Sequence, residues 1–139
     1  MKVLVLGKAT ERSEAGEFGS GEDFAAMDSY SRQLAEAGIL LASDGLQPSS
    51  LGKRVVFDAD GAATVIDGPF AETKELVAGY SIWEVTSMEE ALEWVKRAPF
   101  RDSVAEVRKI LDADDFSEAF AAEIVAAENA TPRDAAEER

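Results

Sequence analysis

The sequence contains no cysteine and no histidine. The first absence excludes disulfides, thiolate nucleophiles, iron–sulfur clusters and thiolate zinc sites. The second removes the usual general base near neutral pH and the commonest transition-metal ligand, so any bound metal has to be held by oxygen. Positive charge is scarce as well: 14 Lys and Arg stand against 28 Asp and Glu, a formal net charge of −14. A field of that sign repels phosphate backbones and anionic lipid, which argues against nucleic acid and membranes as partners. No apolar run is long enough to span a bilayer. The opening "MKVLVLGKA" is interrupted too soon for a signal peptide, so a soluble, cytoplasmic protein is expected.

What is present fits one domain. A chain of 139 residues, 46% of them hydrophobic, buries roughly two-thirds of the surface its unfolded form exposes. Acid gathers at the end: residues 111–139 hold nine carboxylates against two arginines. The reading is a single domain over 1–127, closed by a helix from about 115 to 127. A disordered acidic tail over 128–139 follows, its charge serving mainly as solvation.

Hydrophobic patterning gives the element order. Lys2–Lys8 is a short buried strand. Residues 9–21 form a polar, Gly-rich loop. Ser20, with Asp23 three places on, starts a helix in the manner of a capping box. Phe24, Met27, Tyr30 or Ser31, and Leu34 make its inward stripe, and Gly38 ends it. Ile39–Ala42 is the second strand. Arg54–Asp58 and Ala63–Asp67 flank an Asp-Gly turn and read as a hairpin. Gly79–Val85 is a further strand, with Tyr80, Ile82 and Glu84 alternating against Ser81, Trp83 and Val85. Ser87 and Glu90 start a helix with Ala91, Leu92 and Val95 inward, and Pro99 stops it. Val104–Ile110 is the last strand. A terminal helix carries the stripe Phe116, Phe120, Ile124 and Ala127.

Two β-α-β halves around an inserted hairpin predict an α+β fold. Its form is a ferredoxin-like antiparallel sheet with both helices on one face. The other face then keeps apolar side chains such as Trp83 or Tyr80. A second copy covers that face by two-fold symmetry, so a homodimer is expected. The alternative is a monomer whose terminal helix folds back over its own open face.

One segment stands out, "DGPFAETKE", Asp67–Glu75. Turn chemistry accounts for its first four residues. Asp67 accepts from nearby backbone N–H groups, Gly68 is extended before proline, Pro69 ends the ladder and Phe70 anchors in the core. The segment resembles the signature of the DGPF-domain or YCII-related family. Other stretches resemble further parts of that family: "LAEAGILLASDGLQPSS" its helix-to-strand segment, "GYSIWEVTSMEEALEWVKRAPF" its third strand and second helix, and "VRKILDADDF" its closing strand, so that the resemblance covers Met1 to about Phe120. The resemblance implies a dimeric α+β barrel, two ferredoxin-like subunits packed sheet to sheet. It also implies a His and an Asp in a pocket beside the sheet, of which the His is missing here. "APFRDSVAEVRKI" further departs from relatives in lacking glycines before the last strand.

Three functional readings stay open. The first is a homodimeric small-molecule-binding or regulatory module, with the Asp67–Phe70 segment and the 9–21 loop at the rim of its cavity. Lys74 and Glu72 would bind polar ligand groups, and Tyr80 and Trp83 would line an apolar pocket. The second is a cofactor-independent acid–base enzyme of isomerase or lyase type. Asp67, buried beside the sheet, would be its base, with Lys74 or Tyr80 stabilising negative charge. The third is a protein–protein interaction module whose acidic tail meets a basic partner. The bland account of Glu72–Glu75 is a solvated run of salt bridges worth about 0–1 kcal/mol each. No cofactor or metal is required by any of the three.

Overall fold

The computed structural model describes residues 1–130. It falls into two compact units, Met1–Lys109 and the segment from Ile110 onward. The first unit holds β1 (Lys2–Lys8), α1 (Glu11–Glu14), α2 (Gly21–Glu36), β2 (Leu40–Gly45) and β3 (Lys53–Phe57). These are followed by β4 (Ala63–Asp67), β5 (Val77–Glu84), α3 (Met88–Val95) and β6 (Ala105–Lys109). The second unit holds α4 (Glu118–Ala130). No helix among the described residues is long and apolar enough to cross a membrane.

Four strands form an open sheet in the order β2-β5-β1-β6, and every neighbouring pair is antiparallel. The two β-α-β halves therefore interleave. β3 and β4 pair only with each other, as a separate two-stranded ribbon. A barrel does not close within one chain.

Strand register decides which side chains share a face, because neighbours alternate. Val3 lies opposite Trp83, and Val5 opposite Ser81 and Val107. This face carries the core: Val3, Val5 and Trp83 pack with Tyr30 and Leu34 of α2 and Ala91 of α3. Met27, Met88, Trp94 and Val95 pad its edge. The opposite face presents Leu4 beside Ile82, Leu6 beside Tyr80, and Ala42 beside Ile82. Lys2, Glu84, Arg108, Glu106 and Asp44 complete it in register. Trp83, expected on that second face, is instead a core residue 2% exposed. Its indole N–H is satisfied by Ser81 Oγ at 2.7 Å.

Caps explain where the helices begin. Ser20 accepts from Asp23 N–H at 3.2 Å, and the Asp23 carboxylate accepts from Ser20 N–H at 2.8 Å. That backbone bond first, and the Ser20 hydroxyl second, hold the Asp23 carboxyl below its ordinary value. At α3, Ser87 caps Glu90 N–H, but the Glu90 carboxylate reaches back to Thr86 N–H and Oγ1 rather than to Ser87. Two expected core positions face water. Phe24 is 76% exposed in the first turn of α2, and Leu92 of α3 is also exposed. The inward stripe of α3 is Met88, Ala91, Trp94 and Val95.

In the second unit, Asp112 caps a 3-10 turn at Ala113–Asp115, with Asp115 returning the bond. Phe116 after it is extended, so the helix expected from about 115 starts only at Glu118. Phe116 and Phe120 meet edge to face at 5.2 Å between centroids. The helix takes in Glu128, Asn129 and Ala130, assigned above to a tail; the rest of that tail lies outside the described residues.

Tyr30 ties α2 to α3 by donating its hydroxyl to the Trp94 carbonyl at 2.6 Å. Burial pushes its phenol up to about 12 from an ordinary 10.0, with Arg97 pulling slightly the other way. The folded state therefore holds the Tyr30 proton after the unfolded state has lost it. Its contribution is fully present below about pH 10 and is lost as pH rises towards 12. Urea unfolding across that window is expected to show stability falling in the wild type and a shallower fall in Tyr30→Phe. Equal slopes would contradict the assignment.

Candidate functional site

The Asp67–Phe70 segment docks on one residue, Ser49. Ser49 sits in the connection between β2 and β3, where a 3-10 turn runs Ser49–Leu51. Its hydroxyl donates to Glu14 Oε2 at 2.5 Å, and its backbone N–H donates to the same carboxylate at 3.0 Å. The Ser49 hydroxyl oxygen in turn accepts from Phe70 N–H at 3.1 Å. Gly68 N–H donates to the Gly52 carbonyl at 3.0 Å. Gly68 lies so close that a Cβ there would sit 1.7 Å from the Ser49 carbonyl oxygen. Only glycine fits, because backbone cannot yield as a side-chain tip can. The Gly68–Pro69 peptide bond is cis.

Around this junction opens a cleft of about 340 Å³. Glu14 comes from α1, Gln47 and Ser49 from the β2–β3 connection, and Lys53 and Arg54 from β3. Phe70, Glu75, Leu76 and Val77 form the remaining wall. Leu76 is buried and, with Phe70 and Val77, gives an apolar side. The Arg54 guanidinium lies over the Phe70 ring, 4.0 Å from its centroid, a cation–π contact. The Lys53 ammonium pairs with Asp67 Oδ1 at 2.5 Å. Charge in the cleft is thus balanced, two carboxylates against two cations, within a strongly acidic chain.

The expected site residues scatter. Asp67 marks the end of β4 and its side chain is 76% exposed, so the burial that would make it a base is absent. Glu72 adopts a left-handed backbone (φ 61°, ψ 60°) and is exposed, as is Lys74; neither lines the cleft. Tyr80 lies on the second sheet face, with its hydroxyl 3.3 Å from Asp44. Trp83 lies on the first face, in the core. Tyr80 and Trp83 are three residues apart on one strand and point opposite ways, so they cannot line one pocket. The structure does bring Glu14 of the 9–21 stretch together with Phe70. Gln47, Ser49, Lys53, Arg54, Leu76 and Val77 are cleft residues the sequence did not point to, whereas Glu14 and Glu75 lie in the two stretches it did. A polar residue pair such as Glu14 and Ser49, 35 positions apart, leaves no local periodicity to find. Among the described residues, no group of three or more carboxylates gathers as a metal cage.

A family model described as "YCII-related domain" matches residues 1–117. The chain belongs to the YCII-related family. The matched span takes in every strand and the whole Ser49 junction. An uncharacterised protein of Rhizobium meliloti (strain 1021) is 34% identical over 70 residues, 50% of this chain. The match spans 56% of that relative's own length. A solved structure of 5-chloro-2-hydroxyhydroquinone dehydrochlorinase from Burkholderia phenoliruptrix AC1100, in complex with 2,5-dihydroxybenzoquinone, has a TM-score of 0.48. It is 17% identical, and the similarity covers 83% of this chain and 98% of that one. Likeness at that level carries nothing about the activity of this YCII-related domain.

The Gly68–Ser49 contact gives a sharp expectation. Gly68→Ala has to displace backbone, and is expected to cost about 1–3 kcal/mol, as overpacking does. Urea unfolding measures it. A cost below about 0.5 kcal/mol, typical of an unconstrained surface site, would contradict the close approach.

Proposed function

We propose that this YCII-related protein is a homodimeric small-molecule-binding module whose ligand site is the cleft beside Phe70. The observation that carries the reading is the cleft itself. Three segments distant in sequence are tied together at Ser49, and with β3 they line an open cleft that has an apolar side and charged side chains around it. A volume of about 340 Å³ falls at the small end of ligand sites, which run from about 300 to 1,000 Å³. Asp67's exposure and its Lys53 partner favour binding over proton transfer by Asp67. Glu14, the other carboxylate beside the motif, already accepts two donors from Ser49. The dimer is supported by the second sheet face, where Leu4, Leu6, Ile82 and Tyr80 form an apolar centre suited to a second copy. The acidic tail as a docking element for a basic partner ranks last, since solvation accounts for its charge.

Thermal-shift screening of a small-molecule library tests the reading, alongside native mass. Stabilising compounds without turnover are expected, at a mass twice 14.9 kDa. Phe70→Leu is expected to weaken their binding roughly 3- to 10-fold through loss of the ring. Turnover abolished by Asp67→Asn with the fold intact would replace the module by the enzyme. A monomer would remove the dimer.

A further inference from the structure

Among the described residues, the charges of the cleft do not all find partners. Lys53 is paired with Asp67, and Glu14 is held by the Ser49 N–H and hydroxyl. Arg54 and Glu75 remain. Among the described residues, neither the Arg54 guanidinium nor the Glu75 carboxylate has a hydrogen-bond or ion-pair partner, and they form no pair with each other. Either charge alone would be ordinary for a solvated side chain. Three further features make the pair informative. Both line one cleft whose apolar side is the buried Leu76 with the half-buried Phe70 and Val77. They have opposite sign. Arg54 is also not free to wander, because its guanidinium rests on the Phe70 ring at 4.0 Å. A guanidinium stacked in this way keeps its N–H edges available for a bidentate carboxylate.

We infer that the cleft takes a small zwitterion of the apolar amino-acid type. Its carboxylate meets Arg54, its ammonium meets Glu75, and its side chain lies against Phe70, Leu76 and Val77. The inference rests on the cleft being a binding site. Charge argues for a zwitterion over an anion. The lining is already neutral, Asp67 adds a negative charge at its edge, and the whole chain carries −14. A lone carboxylate or a phosphate would enter against that field, whereas a zwitterion brings no net charge. A lone amine would leave the stacked Arg54 without an acceptor.

Isothermal titration of the full-length protein with three probes tests this. Leucine carries both charges, 4-methylpentanoate lacks the ammonium, and 3-methylbutylamine lacks the carboxylate. Wild type is expected to bind leucine about 10- to 100-fold more tightly than either analogue, the value of a charge-assisted hydrogen bond. Arg54→Gln is expected to weaken leucine by that factor and leave 3-methylbutylamine unchanged. Glu75→Gln is expected to weaken leucine and leave 4-methylpentanoate unchanged. Both residues are exposed, and the probe comparison in wild type does not depend on either variant folding. Leucine binding no tighter than its analogues, or not at all at millimolar concentration, overturns the inference. If library compounds still bind at the cleft in that case, the binding module stands. If nothing binds there, both readings fall.

Discussion

A two-stranded hairpin with no buried residue depends on how its base is held. Every residue of β3 and β4 is exposed, and neither strand pairs with the four-stranded sheet. Such a ribbon is marginal alone in water. Its base is where the constraint lies: Gly68 against the Ser49 and Gly52 carbonyls, Phe70 N–H on the Ser49 hydroxyl, and Ser49 on Glu14. One serine therefore joins α1, the β2–β3 connection and the end of β4. The cleft exists because these parts are held at that spacing. The Asp-Gly-Pro-Phe turn is both things at once, a structural clasp and the lip of a cavity.

Much of the architecture was legible because it is local. Ser20 with Asp23 marks the start of α2 to the residue, since a cap needs only its own turn. Asp60-Gly61 marks the hairpin because the turn needs a positive φ, 86° at Gly61. The strands followed from short apolar runs, and their interleaved order from the two β-α-β halves. Facing was harder. Phe24 fits the helical stripe of α2 but lies in its first turn, where it is 76% exposed. In α3 the spacing admitted Leu92, but Trp94 and Met88 take the inward arc. On β5 both alternating sets carry aromatics, so the sequence did not say which of Tyr80 and Trp83 faces the helices.

The site was legible only in part. The motif drew notice to Asp67–Glu75, and the cleft does lie there, but through Phe70 and Glu75 rather than Asp67, Glu72 or Lys74. A strand end exposes its polar residues, so Asp67 finds Lys53 across the ribbon instead of a buried niche. Glu72 is spent on a left-handed turn. The residues that matter most, Glu14 and Ser49, sit in stretches read as loop. A loop's hydrogen bonds are long-range here, and nothing in the local pattern announces them.

Amide hydrogen exchange tests the Ser49 clasp most directly. If the clasp holds the hairpin base, the N–H groups of Ser49, Gly68 and Phe70 exchange together as one protected set, and Glu14→Ala exposes all three while the β1–β5 amides stay protected. Should Gly68 and Phe70 keep their protection in Glu14→Ala, the base of the hairpin is held by something else, and the cleft is not the product of that junction.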